Sequence, residues 1–362
     1  MSDLLTESVT PDYEAFLGCI LRQGAPKRVH HIELFLDGEV KDALCARFGI
    51  DRTIDRSRPY AELEREIAIQ RFLGYDYVRC GLEGLDWPFN RSVTQDTAVI
   101  QRQGGRGYIN EHVGPVTNWE EFECYPWPDP SKATSVALEW YERNLPDDMC
   151  VIGGGGFGHF AEHLTWLMGY ETLCYALYDQ RDLIQAICDK MIEIFTGVLE
   201  RILEFNRVKI VWGSDDMGYR GGTLISPEDT RKYMLPGHKR MARMAHKSGK
   251  PYLLHSCGNL FSILNDLIDD VRIDGKHSFE DTIENVIEDK RLFGDRLTLL
   301  GGIDVDFLCT AKEDAIRKRV RDTLEVCMIG GGYCLGTGNS VTNYIPVDSY
   351  LIMLDEGRKW RG

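Results

Sequence analysis

Short apolar runs alternate with longer amphipathic stretches along most of the chain after residue 135. The apolar runs have the length of buried strands, and the stretches between them repeat their apolar residues at helical spacing. Four clear runs are MCVIGG, VKIVWGSDD, PYLLHSCG and RLTLLGGID. Strands that are apolar on both faces and separated by helices predict a parallel α/β sheet with right-handed crossovers. About eight such units favour a closed (β/α)8 TIM barrel over an open doubly wound sheet.

The first part of the chain has a different pattern. PDYEAFLGCILRQG and RPYAELEREIAIQRFLGYD each predict a helix that ends at a glycine, and RVHHIELFL between them is strand-like. Residues 90–130 are rich in Thr, Gly, Gln and Pro, which predicts hairpins and loops over one rim. We therefore predict a single domain, residues 1–362, in which residues 1–70 form an N-terminal helical extension of the barrel.

Composition restricts the classes of partner. The 362 residues carry a net charge of −15, which argues against nucleic acid and anionic membranes because phosphate binding requires basic patches. No apolar run approaches the length of a membrane helix. The eleven cysteines are odd in number and scattered, and the N-terminus MSDLLTESVTPDYEAF has no signal-peptide pattern. This combination predicts reduced thiols and a cytoplasmic location.

Reactive side chains follow several of the predicted strands, at the end where barrel enzymes carry their active sites. Asp215 and Asp216 end one strand, and His255 and Cys257 end the next. His277 ends a third strand. Residues two apart on a strand share a face, so His255 and Cys257 are expected to point the same way.

A further cysteine, Cys334, lies on the last predicted strand, near the same rim. One imidazole and two thiols are ligands that zinc accepts, and a fourth position left free is typical of a catalytic site. From the residues alone, His255, Cys257 and Cys334 predict a zinc site. Three alternatives remain open: a rim histidine with an ordinary hydrogen bond, a cysteine–histidine nucleophile pair, and a disulfide between Cys257 and Cys334.

Other residues are weaker candidates. Glu83 follows an early strand and is a candidate for the zinc shell or for substrate binding. His159 follows the glycine-rich run GGGGFG and is predicted to face the cavity; the run lacks the Lys-Ser/Thr of a nucleotide loop. Tyr344 is one of several rim aromatic residues that would suit an aromatic or amphipathic substrate.

Several segments carry a resemblance to a known family. "GGGGFGHFAEHLTWLMGYE", "LISPEDTRKYMLP", "LLHSCGN", "LLGGIDV" and "MIGGGYCLGTGNSV" resemble segments of the uroporphyrinogen decarboxylase superfamily. The resemblance covers most of the chain from Val151 onward and is looser before it. It implies a (β/α)8 barrel, in agreement with the alternation of strands and helices.

Two branches of that superfamily differ in chemistry. The decarboxylases need no metal and carry a basic segment of the type R-Q-A-G-R-Y that binds substrate carboxylates; this sequence has only the pair Arg22 and Gln23. The cobalamin-dependent methyltransferases resemble this chain at H-x-C-G and at the cysteine of G-G-Y-x-L. That resemblance implies zinc on His255, Cys257 and Cys334. Because no D-x-H-x-x-G cobalamin segment is present, it also implies a separate corrinoid protein.

The expected function is a zinc-dependent methyltransferase that moves a methyl group between a small donor, such as a methoxylated aromatic, and the corrinoid partner. In this hypothesis Asp215 or Asp216 binds the metal or orients His255, and His277 acts as a general acid. The alternatives are methylcobalamin:coenzyme M methyl transfer and metal-free decarboxylation of a tetrapyrrole. In the decarboxylases an aspartate at the place of Asp215 binds pyrrole N–H groups.

Overall fold

A parallel sheet lies at the centre of the molecule. The structure, a computed structural model, describes residues 4–361. Its strands are β1 (Tyr77–Cys80), β2 (Arg91–Thr94), β3 (Arg106–Ile109), β4 (Cys150–Gly154), β5 (Val208–Ser214), β6 (Gly218–Tyr219), β7 (Gly222–Thr223), β8 (Tyr252–His255), β9 (Gly275–His277), β10 (Thr298–Leu300) and β11 (Tyr333–Cys334). Seven of them form one sheet in the order β1-β4-β5-β8-β9-β10-β11, with every pair parallel. The predicted α/β architecture is confirmed.

Residues 30–36 occupy the gap between the two ends of this sheet. On one side they form parallel backbone bridges with the chain at and after β11, the first of them at Leu335. On the other side β1 reaches them with its side chains. The Tyr77 hydroxyl accepts from the Glu33 N–H (2.8 Å) and donates to the Glu33 carbonyl (3.1 Å), and Arg79 donates to the next carbonyl. The segment thus takes the place of an eighth strand and closes the curled sheet.

Helices cover the outside of the sheet. They are α1 (Tyr13–Ile20), α2 (Gly38–Phe48), α3 (Ala61–Leu73), α4 (Trp119–Cys124), α5 (Val136–Asn144), α6 (Phe160–Met168), α7 (Tyr170–Asp179), α8 (Arg181–Leu203), α9 (Pro227–Asp229), α10 (Leu235–Lys247), α11 (Val286–Phe293), α12 (Val305–Thr310), α13 (Glu313–Cys327) and α14 (Val347–Lys359). Buried residues in α8 recur every three or four positions from Leu183 to Ile202, so one face packs on the core. Within residues 4–361, no helix is both long and apolar enough to cross a bilayer.

The predicted N-terminal extension, residues 1–70, contains two kinds of structure. Helix α1 lies across the N-terminal ends of the strands, where the Cys19 thiol donates to the Tyr333 carbonyl (3.2 Å) and Ile20 accepts from Thr298 (2.7 Å). The segment that closes the sheet follows α1 and precedes α2 and α3. The extension is therefore only partly an elaboration, because it also supplies the first strand position of the barrel.

A buried carboxylate ties the end of β5 to the start of α6. Asp215 is fully buried, and both its oxygens accept from the Ala161 N–H, at 2.8 and 2.9 Å. One oxygen also accepts from the Glu162 N–H (3.1 Å), and the other lies 2.8 Å from Nε2 of the buried His238. These contacts satisfy N–H groups at a helix N-terminus, where negative charge is favourable. Asp215 therefore holds the helix and the strand together.

We expect Asp215→Ala to lower the free energy of unfolding by about 3 kcal/mol, because it leaves His238 and two helix N–H groups without their buried partner. Urea denaturation followed by circular dichroism measures this loss. The matched control is Asp216→Ala, since the Asp216 side chain is 41% exposed; here we expect a loss below about 1 kcal/mol. Equal losses in the two variants would contradict this role for Asp215.

Candidate metal centre

The end of β8 brings an imidazole and a thiol to one side of the barrel mouth. His255 is the last strand residue and is buried, and Cys257 lies in the turn that follows. Gly258 makes this turn possible: its φ is +88°, and a Cβ there would lie 2.1 Å from the backbone of Gly218. Only glycine combines that conformation with so close an approach. The turn therefore fixes where the thiol points.

Asp216 joins these two residues from the end of the neighbouring strand β5. Its Oδ1 accepts from the Cys257 N–H (2.9 Å) and lies 3.5 Å from His255 Nε2. The Cys257 sulfur lies 3.4 Å from the same ring nitrogen. One ligand atom from each residue falls within 4.8 Å of the other two. Carboxylate oxygen, imidazole nitrogen and thiolate sulfur are the donors that zinc binds, so this group fits a zinc ion with a position left for another ligand.

Electrostatics differ between the acid and the thiol of this group. Burial raises the pKa of the Asp216 carboxyl, but bonds from His255 and from the Cys257 N–H outweigh it and lower the pKa to about 2. Burial and the charge of Asp216 raise the pKa of Cys257 to about 12. In the metal-free protein the group is therefore a carboxylate beside a protonated thiol. A bound cation would favour loss of the thiol proton.

Two polar side chains contact the Cys257 sulfur from other strands. The Ser278 hydroxyl lies 3.4 Å away and the Asn339 amide nitrogen 3.3 Å away. Ser278 follows β9 with φ at +92°, a left-handed conformation that costs energy in a residue with a side chain. Sequence reasoning missed both residues. Their one detectable feature was a polar side chain directly after a predicted strand.

His277 lies beside His255 in a fully buried position. The two Nδ1 atoms are 2.7 Å apart, and the His277 ring meets the Trp212 ring edge-on at 5.4 Å. Burial lowers the pKa of His277 well below its usual value, and the charges of His255, Lys276 and Arg79 act in the same direction. The ring is therefore neutral near pH 7. Its geometry suits holding the His255 ring in place by a hydrogen bond.

Cys334 does not join this group, so the predicted ligand set needs correction. Its side chain is fully buried against the thiol of Cys19 on α1, at the opposite end of the barrel. By hydrogen-bond register Cys334 is level with His255, through His277 and Leu300. Strands of a closed barrel are tilted, however, so each step to the next strand moves about one residue along the axis. Strands β8 and β11 are three such steps apart. The residue after β11 that reaches Cys257 is therefore not Cys334 but Asn339, five positions further along the chain.

The remaining predicted residues, Asp215, His159, Glu83 and Tyr344, do not belong to the candidate metal centre. Asp215 binds α6 and His238, as described above. His159 bonds to Glu162 (2.6 Å); burial lowers its pKa, but the bond and the charge of Glu162 outweigh this and raise it. Glu83 is exposed on the β1 side of the mouth. Tyr344 is 47% exposed on the rim.

A cavity of 720 Å³ opens on the β1 side of the barrel mouth, and its lining does not include Asp216, His255 or Cys257. Glu83 and His159 line it, as does Ser214, which pairs in register with His255. Arg79 of β1 also lines this cavity. The structure thus brings His159 and Glu83 to a space next to the candidate metal centre.

Comparisons with known proteins give relatives of two kinds. A curated methylated-thiol–coenzyme M methyltransferase from Methanosarcina mazei is 26% identical over 128 residues, which is 35% of this chain and 32% of that protein. The match thus spans about a third of the length of that relative. A solved structure of a methyltransferase from Methanosarcina mazei has a TM-score of 0.67 at 17% identity and covers 95% of this chain and 97% of its own. This likeness shows a shared fold.

The family itself is established by a match that covers more than half of the chain. The family model for uroporphyrinogen decarboxylase (URO-D) matches residues 111–360. This range includes β4 to β11 and all three residues of the candidate metal centre. It confirms the resemblance found in the sequence segments. The chain therefore belongs to the uroporphyrinogen decarboxylase family.

Proposed function

We propose that the chain is a zinc-dependent methyltransferase that exchanges a methyl group between a small donor and the cobalamin of a separate corrinoid protein. The observation that carries this proposal is the convergence of Asp216, His255 and Cys257 next to an open cavity at the barrel mouth. An open mouth agrees with a catalytic metal, since structural zinc sites are closed by four protein ligands. The curated Methanosarcina mazei relative is itself a methyltransferase, which supports methyl transfer.

The metal and the corrinoid would supply the reactive centres. Asp216, His255 and Cys257 would hold the zinc ion, which acts when bound as a Lewis acid on an ether oxygen or as a partner that keeps a substrate thiol ionised. The partner's corrinoid would supply the cobalt that exchanges the methyl group. The protein's own contribution is to position the donor in the cavity and to exclude water around the metal.

The residues around the metal ligands have supporting roles in this proposal. If His255 held the metal through its other ring nitrogen, its Nδ1 would carry the proton and donate to His277. We assign His277 this positioning role instead of the general acid role predicted from sequence, because a neutral buried imidazole is a weak acid. Ser278 and Asn339 would donate to the Cys257 thiolate and stabilise its charge. Asp216 would also hold the Cys257 turn through its backbone N–H.

Two other reactions compete with the preferred one. Transfer to coenzyme M is supported by the Methanosarcina mazei relative, a methylated-thiol–coenzyme M methyltransferase. Metal-free decarboxylation is supported by the family name, but the basic R-Q-A-G-R-Y segment is missing. Asp215, at the place of the pyrrole-binding aspartate, is also occupied by α6 and His238. Methyl transfer from a small donor therefore remains the proposal, with a methoxylated aromatic as its first candidate.

Zinc binding is the first test. We expect about one zinc ion per chain after dialysis, by elemental analysis, because three ligand atoms already converge. Cys257→Ser, His255→Ala and Asp216→Asn should each weaken zinc binding by at least about 100-fold in competition with a chromophoric chelator. Cys334→Ser is the matched control and should bind zinc as the wild type does. Loss of zinc in Cys334→Ser with retention in Asp216→Asn would reject this ligand set.

The positioning role of His277 is tested by a conservative replacement. We expect His277→Gln to weaken zinc binding by about 10-fold to 100-fold, since the His255 ring loses the bond that orients it. His277→Asn, whose shorter amide can take the place of Nδ1, should recover part of that loss. Thermal unfolding of the zinc-free variants serves as the control for folding. Unchanged zinc affinity in both variants, with activity lost, would instead support the general acid role.

Methyl transfer is tested directly with a cobalt(I) corrinoid under anaerobic conditions. We expect the zinc-loaded protein to form methyl-cobalt, followed by its absorbance, with at least one donor among methoxy-aromatics, methylamines and methanol. Cys257→Ser should be inactive because the metal is lost, and Cys334→Ser should be active. Decarboxylation of a tetrapyrrole by metal-free protein, without methyl transfer, would overturn the proposal.

A further inference from the structure

Arg79 is a cation that lines the cavity and has no acidic partner in the part of the chain that the structure describes. Its guanidinium lies over the Trp212 ring, 4.7 Å from the centroid, and donates to the Leu34 carbonyl. Among residues 4–361, no carboxylate lies within ion-pair distance of Arg79. Its side chain is half-buried, and the space open to it is the cavity. Most of its N–H groups are thus free to bind a molecule there.

The other cations that line the same cavity are neutralised. Lys41 pairs with Glu66 at 2.7 Å. Arg65 pairs with Asp51 at 2.9 Å and also bonds to Asp42. Unlike Lys41 and Arg65, Arg79 therefore keeps a positive charge that is available to an anionic ligand.

Glu33, an acid of the same cavity, does not compensate Arg79. Glu33 lines the cavity and accepts from the Thr337 hydroxyl (2.6 Å) and N–H (2.8 Å). Burial raises the pKa of Glu33 to about 8, although the bonds from Thr337 oppose this, so the carboxyl is mainly protonated near pH 7. Burial lowers the pKa of Arg79 to about 10, and the group stays cationic. An unpaired charge in such a place is costly, and an anionic ligand would remove that cost.

We propose that Arg79 binds the oxyanion group of the substrate, a carboxylate or a sulfonate, inside this cavity. The inference rests on the proposed function for the reacting end of the molecule, and it defines the class of substrate. A guanidinium offers two parallel N–H groups that match the two oxygens of a carboxylate, and the Trp212 ring fixes its plane. Gly154 leaves room for this fork, since a Cβ there would lie 3.0 Å from Arg79 Nη2.

The position of Arg79 relative to the metal centre determines how a substrate would lie. Arg79 and His277 contact the same Trp212 ring, at 4.7 and 5.4 Å from its centre, and His277 bonds to the candidate ligand His255. A substrate held by its anionic end at Arg79 would extend along the cavity toward the metal group. The planar fork, together with Tyr77 and Tyr141 in the cavity lining, favours a methoxylated aromatic carboxylate, with its methoxy group toward the metal centre. A thiol sulfonate such as coenzyme M shares the anionic group but lacks the ring.

Binding is tested by calorimetry with the full chain, using 4-methoxybenzoate, its uncharged analogue 4-methoxybenzamide, and 2-mercaptoethanesulfonate. We expect wild-type protein to bind 4-methoxybenzoate at least about tenfold more tightly than the amide. This comparison needs no variant, so it holds even if a substitution disturbs folding. Equal binding of acid and amide by the wild type would overturn the proposal.

Variants assign the preference to one side chain. Arg79→Met should bind 4-methoxybenzoate no better than the amide, and Arg79→Lys should keep part of the preference, because it keeps the charge and loses the fork. Lys41→Met is the matched control, a cation of the same cavity that is already paired, and should stay within about twofold of wild type. Wild-type binding by Arg79→Met, with its fold verified by circular dichroism, would overturn the proposal.

Comparing the three ligands, with and without zinc in the protein, distinguishes a failure of this inference from a failure of the proposed function. Binding of 2-mercaptoethanesulfonate alone, lost in Arg79→Met, would support Arg79 as the anion-binding residue and assign the substrate to the thiol sulfonates. The same titrations in metal-free protein do not depend on zinc or on methyl transfer. Arg79-dependent binding without any methyl transfer would therefore reject the proposed function and leave this inference standing.

Discussion

The hydrogen-bond register of the parallel sheet decides which side chains can meet at the mouth of the barrel. Ser214, His255 and His277 form one row across β5, β8 and β9, and the metal group is built around that row. Because the strands are tilted, the same row continues on β11 to a residue near the opposite end of the barrel. Thus Asn339, five positions after Cys334, is the residue that contacts Cys257.

Charged groups inside the barrel fall into two kinds, which differ in whether the protein itself satisfies them. Asp215 is surrounded by helix N–H groups and His238, so its charge contributes to the fold. Its neighbour Asp216 is partly exposed at the mouth and contacts His255 and Cys257, the two other residues of the candidate metal centre. Arg79 contacts a carbonyl and an aromatic ring, and within residues 4–361 it has no counter-charge. A charged group whose counter-charge or hydrogen bonds are incomplete within the protein is a candidate for binding a ligand.

Family membership establishes the barrel and leaves the reaction open, since one fold supports many chemistries. The reaction depends instead on the donors at the strand ends, on the cavity beside them and on the charge in that cavity. In the proposed function, the three candidate metal ligands lie at one side and Arg79 lines the neighbouring cavity, which would suit a small polar molecule that reacts at one end. The acidic charge of the whole chain, −15, makes this local positive group more distinctive.

The sequence by itself determined the alternation of strands and helices, the barrel class, the family resemblance and the pair His255 and Cys257, because strand periodicity and strand ends are local properties. It also indicated the strand-like run before residue 37, but not that this run closes the barrel through Tyr77 and Arg79. Only the tertiary structure decided the third member of the metal group and the separate tasks of Asp215 and Asp216. The physical reason is that strand tilt, and the direction of each side chain at a strand end, depend on contacts between residues far apart in the chain.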